Sequence, residues 1–233
     1  MENLRPNEQR AKNAITLIWI VLALDIMSLI SGYLQYGLLQ GVSKGGIIST
    51  ETATANDTRE QVISIVSMIV YIISATTFIQ WFRRAYFNLH QKVRFLSHSE
   101  GWAAGFWFIP IVNLFRPYQI TKELYLETKE LFIKKGINVN FNFATGILDW
   151  WWTLWIINNL MGHFVFQYAK HAESMGELIN STVASMIGNI VGIPLALITI
   201  KWIKDYSSVE PLLYEIRDEE EIIIPENGLA VIS

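Results

Sequence analysis

The residue best placed to do chemistry in this chain is Asp25, the only formal charge in the apolar run Ala14–Tyr36. A carboxylate near the middle of a hydrocarbon layer is costly, so such residues mark proton paths, ion sites or interhelical clamps. Tyr71, Asn159 and Asn189 stand at the midpoints of three further apolar runs. With Asp25 they predict a polar layer at one depth. One reading of that layer is a proton or ion site. The other is a structural clamp, with the four groups turned inward and bonded to one another.

A second group clusters in Gly101–Gln119, dense in aromatic residues and ending in Arg116-Pro117-Tyr118-Gln119. Indole and phenol rings suit the headgroup level of a bilayer, where an apolar ring with a polar edge is stable. Arg83, Trp102, Trp107, Asn113 and Arg116 are therefore candidate contacts to a lipid headgroup or an anionic ligand. Ordinary anchoring at the interface is the simpler reading of the same residues.

Much other chemistry is excluded. The chain has no cysteine, so disulfides, thiolate metal sites, iron–sulfur clusters and cysteine nucleophiles are absent. There is no nucleophile elbow, zinc-protease pair, phosphate loop or dinucleotide fingerprint. His163 and His171 would lie ~80° apart around a helix and ~12 Å along it, too far to share one metal. His90 and His98 fall in a polar stretch without a ligand pattern. No catalytic residue, metal or cofactor is expected. A net charge of −3 argues against nucleic acid as a partner.

The elements that must position these residues are membrane spans. Of the 233 residues, 52% are apolar and only 17% charged, and mean hydropathy is +0.29. A spanning helix needs ~20 apolar residues. Ala14–Tyr36, Gln61–Phe82, Trp150–Ala169 and Leu178–Ile200 meet that length. The first reads as an uncleaved anchor, since its apolar stretch continues past Asp25 with no cleavage site. Gly101–Phe115 is uncharged but has only 15 residues and contains Pro110, which fits a re-entrant or interfacial segment. Four spans place fifteen Lys/Arg on one side and three on the other. Both termini and residues 83–149 are then cytoplasmic.

Between the spans, residues 37–60 read as a flexible outer loop rich in Gly, Ser and Thr. Asn56 and Asn180 begin glycosylation sequons, a motif short enough to occur by chance. Residues 117–135 read as an amphipathic surface helix lying on the inner face of the membrane. Ile120, Leu124 and Leu131 form its stripe, Glu130 and Lys134 an i,i+4 pair, and Gly136 its stop. Ala184, Gly188 and Gly192 make a small-residue face in the last span, suited to packing within the bundle or to a homo-oligomer. Residues 206–233 form an acidic tail beyond the membrane domain 1–205.

Trp81-Phe-Arg-Arg-Ala-Tyr-Phe-Asn88, the whole of Gly101–Gln119 and the run Trp150-Trp-Trp-Thr-Leu-Trp155 together resemble a bacterial multipass membrane family known as domain of unknown function 4328. The resemblance covers roughly residues 60–205. Ala104 and Phe106 depart from it, standing where bulkier Val and Trp are expected. It implies a bacterial inner-membrane protein and supplies no activity.

The sequence thus predicts an all-α protein: a four-helix transmembrane bundle with a cytoplasmic aromatic segment and a surface helix. Three functions remain in play. The leading one is a non-enzymatic sensing, scaffold or interaction protein that binds lipid headgroups or a partner at its cytoplasmic face. A small channel or proton-coupled transporter using the Asp25 layer is the second. A membrane enzyme or cofactor-binding protein is the third.

Overall fold

A computed structural model describes residues 4–137, 145–171 and 174–216. The described residues are helical, without strand: α1 (Glu8–Ser43), α2 (Thr50–His90), α3 (Glu100–Gly105), α4 (Arg116–Lys134), α5 (Thr145–His171) and α6 (Met175–Val209), with short 3-10 turns at Phe106–Phe108, Val112–Leu114 and Glu210–Tyr214.

Three helical runs are long and apolar enough to cross a membrane: Glu8–Ser43, Thr50–His90 and Met175–Tyr214. Only 17%, 11% and 22% of their most apolar windows are buried inside the molecule. Apolar side chains such as Ile30, Met68 and Ile190 instead face outward, as lipid contact requires. α5 has 27 residues, enough for ~40 Å, but falls short of the other three in hydropathy. Asn158, Asn159 and His163 account for much of the difference.

The helices outrun the apolar windows. At ~1.5 Å per residue, the 41 residues of α2 extend ~60 Å, about twice a hydrocarbon core. The segment read as a flexible outer loop is therefore mostly helix, reduced to the connection 44–49. The Ser49 side chain accepts a hydrogen bond from the Thr52 amide and caps α2. Asn56 is only 6% exposed, packed inside the first sequon. α6 starts with a reciprocal capping box between Ser174 and Glu177, and carries Pro194 in its interior.

α1 packs along α2 on one side and α6 on the other, and α5 packs on α6. α2 and α5 scarcely meet, so the arrangement stays open along one side. Its large core lies at the end where α1 begins and α2 and α6 finish, here the terminal end. Trp81, Phe82, Tyr86, Ile203 and Tyr206 are fully buried there. The buried residues of the opposite end are smaller or polar: Ser31, Gly32, Leu39, Asn56 and Thr182.

α4 departs from the sequence expectation. Its apolar stripe does not face lipid. Ile120, Leu124 and Tyr125 pack into the main core: α4 lies against α5 and the end of α2, and Tyr125 meets Trp202 and Tyr206 of α6. The ends of α2 and α6 leave an apolar platform there, and α4 covers it. The Glu130–Lys134 pair forms at 2.7 Å, and Gly136 ends the helix with φ +67°. Residues 206–216, assigned from sequence to the tail, are also packed: Leu213 and Ile216 join Phe132 in a second small core. The acidic run from Asp218 lies outside the described residues.

Candidate functional site

A cavity of about 330 Å³ fills the space that α2 and α5 leave between them. α1 contributes Asp25, α2 Tyr71 and Phe78, α5 Trp151, Trp155 and Asn158, and α6 Ser185, Asn189 and Thr199. Trp107, from the aromatic segment, reaches in from the terminal end. Helical spacing aims these groups. Trp151, Trp155, Asn158 and Gly162 recur every three or four residues and share one face of α5. Ser185, Gly188, Asn189 and Gly192 do the same on α6.

The carboxylate of Asp25 lies against the backbone of α6. A Cβ added to Gly192 would stand 2.7 Å from Asp25 Oδ2, so glycine is what lets the carboxylate lie there. Cβ atoms added at Gly162 and Gly188 would meet nothing within 4 Å, because both positions open on the cavity. Ala184 and Gly192 are buried within the bundle. The small-residue face is thus used inside the chain.

Of the predicted polar layer, Asp25, Tyr71 and Asn189 meet at the cavity. Asn159 does not. It is exposed, and its side-chain amide donates to the Trp155 carbonyl at 2.8 Å. Its neighbour Asn158 takes the place, a one-residue shift of 100° around a helix that a midpoint count does not resolve. The layer also differs from a clamp. Among the described residues, Asp25, Asn158 and Asn189 make no side-chain hydrogen bond to protein and face the shared volume instead.

The predicted inner-face residues each have their own surroundings. Arg83 pairs with Glu100 at 3.3 Å. Arg116 donates to Gln119 at 3.0 Å and lies over the ring of Phe115. Trp102 is half exposed and stacks on Phe106. Asn113 is half-buried in the turn Val112–Leu114. Trp107 turns away from all of them into the bundle, edge-on to Phe78 and Trp155 with centroids 5.6 and 5.8 Å apart. Ile111 holds the bend between the two 3-10 turns with φ +67°, a strained conformation for a β-branched residue.

Two polar clusters at the terminal end had no sequence signal, because their members lie far apart in the chain. In the first, Glu210 is 5% exposed and accepts from Asn7 Nδ2 at 3.0 Å and Asn88 Nδ2 at 2.7 Å. Asn88 also pairs with the backbone of Arg5. In the second, Glu123 accepts from the Tyr86 hydroxyl at 2.7 Å and the Ser97 amide at 2.6 Å, with His98 Nδ1 3.9 Å away. Burial raises the Glu123 carboxyl, but these donors outweigh it and hold the group below the usual carboxylate value. The Tyr118 hydroxyl donates to Asp149, and that bond together with partial burial pushes the phenol up to about 12.

The family model described as Domain of unknown function (DUF4328) matches residues 45–208, well over half of the chain. No curated protein matches the chain, and no solved structure does.

Proposed function

The chain belongs to the DUF4328 family, a membership that carries no activity with it, and we propose that the protein is a non-enzymatic membrane sensor that takes a small amphiphilic molecule into the cavity beside Asp25. The observation that carries this reading is the set of polar side chains, Asp25, Asn158 and Asn189, turned into one apolar-walled volume without protein partners. Ligand sites have this character: mostly apolar walls, a few convergent polar groups and a volume of ~300 Å³ or more.

In this reading α5 is the fourth span, and residues 101–115 form a re-entrant floor that closes the cytoplasmic mouth through Trp107. Both termini face the cytoplasm of a bacterial inner membrane, which the distribution of Lys and Arg supports. Arg83 and Arg116 meet anionic lipid or a partner at that face, and α4 relays the state of the cavity to it. Thermal-shift measurements in a mild uncharged detergent test the proposal against a panel of small amphiphiles. Some should raise the melting temperature of the wild type but not of Gly188→Leu or Gly162→Leu, which fill the cavity. Shifts that survive filling, or no shift from any compound, would end it.

One observation favours a second reading, proton-coupled transport. Asp25 and Tyr71 also border a smaller cavity of about 250 Å³ with Ser67 and Met68. The carboxylate thus stands between two volumes, as a proton-exchanging group would. Proton flux into proteoliposomes that disappears in Asp25→Asn supports it, and a wild type without flux removes it.

A further inference from the structure

We propose that the ligand of this cavity is an organic cation, an amphiphilic amine or quaternary ammonium, held by the Asp25 carboxylate and by the aromatic faces around it. The inference rests on the reading of the cavity as a ligand site and adds the chemistry of its occupant.

Charge comes first. Among the described residues lining the cavity Asp25 is the only carboxylic acid, and none is Lys, Arg or His. Among the described residues Asp25 has no ion-pair or hydrogen-bond partner. A bound cation therefore meets a counter-charge already in place, whereas an anion meets repulsion with nothing to offset it.

The walls then select the kind of cation. Phe78, Trp107, Trp151 and Trp155 surround the same space, and Tyr71 stands beside the carboxylate. Trp107 meets Phe78 at 89° and Trp155 at 79°, so these rings do not all stack on one another. Cations are drawn to aromatic faces, most strongly to Trp and most strongly when desolvated. Hard metal ions are poorly served, since they need six or more oxygens or several retained waters. The amide groups of Asn158 and Asn189 and the hydroxyl of Ser185 suit a polar substituent or an ammonium N–H. Space is adequate as well, because Gly162 and Gly188 withhold side chains from it.

The test uses the full chain in dodecyl maltoside and a matched pair of probes. N-benzylpyridinium is the cation. Diphenylmethane has the same shape without the charge. Binding is measured calorimetrically, with heats corrected against protein-free micelles. N-benzylpyridinium should bind the wild type at least tenfold more tightly than diphenylmethane. Asp25→Asn should lose at least tenfold in affinity for the cation and leave affinity for diphenylmethane unchanged. Asp25→Glu should stay within a few fold of wild type, and so should Glu130→Gln, which removes an exposed carboxylate elsewhere. If Asp25→Asn does not fold, the two probes on wild-type protein still decide. Equal affinity for both would overturn the cation assignment while leaving the cavity a ligand site. Cation binding that is indifferent to Asp25→Asn would overturn it too, as would no cation binding at all.

Discussion

Gly188 and Gly192 are one helical turn apart in the same small-residue stripe, yet their surroundings give them opposite behaviour on substitution. At Gly188 a methyl group enters open space. Gly188→Ala should therefore gain most of the ~1 kcal/mol by which alanine exceeds glycine in a helix, read as a higher melting temperature. At Gly192 the same methyl stands 2.7 Å from Asp25 Oδ2. Gly192→Ala must displace the carboxylate, so it should show no such gain and should weaken cation binding instead. Glu123 gives a residue-scale test in pH. Its folded value is lowered, so its contribution is present above the ordinary carboxylate value near 4.5 and is lost as pH falls through the folded value below it. Charged hydrogen bonds of this kind contribute ~1.5–3 kcal/mol. Below pH 4.5 the wild type should lose stability that Glu123→Gln lacks at every pH, and equal acid sensitivity of the two proteins would refute the assignment.

At the scale of elements, the aromatic segment 101–115 is where the structure most changes the meaning of the residues. As a string, its Trp and Phe residues look like an interfacial belt. Folded, Trp107 is a wedge between α2 and α5. Trp107→Ala should cost ~3 kcal/mol or more by emptying packed aromatic space, whereas Trp102→Ala, half exposed, should cost under ~1 kcal/mol. Comparable losses in chemical unfolding would show that Trp107 is not the wedge. Ile111→Gly relieves a positive-φ γ-turn (φ +67°, ψ −50°), closed by the Val112 amide donating to the Pro110 carbonyl at 2.8 Å, a sparsely populated conformation costing a non-glycine residue ~1–3 kcal/mol, and should be neutral or stabilising. The existence and type of α1, α2, α4 and α6 were legible because long apolar runs, capping residues and a 3.6-residue period are local signals. The destination of α4 was not. An amphipathic stripe says only that one face is buried, and membrane and protein satisfy it equally.

At the scale of the whole molecule, the basic residues of residues 1–13 and 83–149 make a topology that single cysteines can check. Placed at Ser49, Ser99, Lys134 and Glu177 in turn, only the first and last should react with an impermeant reagent in whole cells. Reaction at Lys134 but not Ser99 would make 101–115 a full span. Three members of the site, Asp25, Tyr71 and Asn189, could be read from sequence because depth in a bilayer follows from counting along an apolar run. The fourth, Asn158, could not, because rotation about the helix decides which of two adjacent asparagines turns inward. Nor could the knot of Asn7, Asn88 and Glu210, whose members are paired only by the finished fold.

That knot bears on how the protein is made. Its acceptor, Glu210, follows the last apolar run, while its donors sit at residues 7 and 88. Until α6 has left the ribosome and entered the bilayer, the amides of Asn7 and Asn88 have no carboxylate to meet. A nascent chain halted after α5 thus holds two amides that the native fold buries, 5% and 0% exposed, without the carboxylate that joins them, although Asn88 can still pair with the Arg5 backbone and Asn7 with the Trp81 carbonyl. Glu210 is the residue that joins the start of α1 to the end of α2 through side chains, and it is the last of the three to be made.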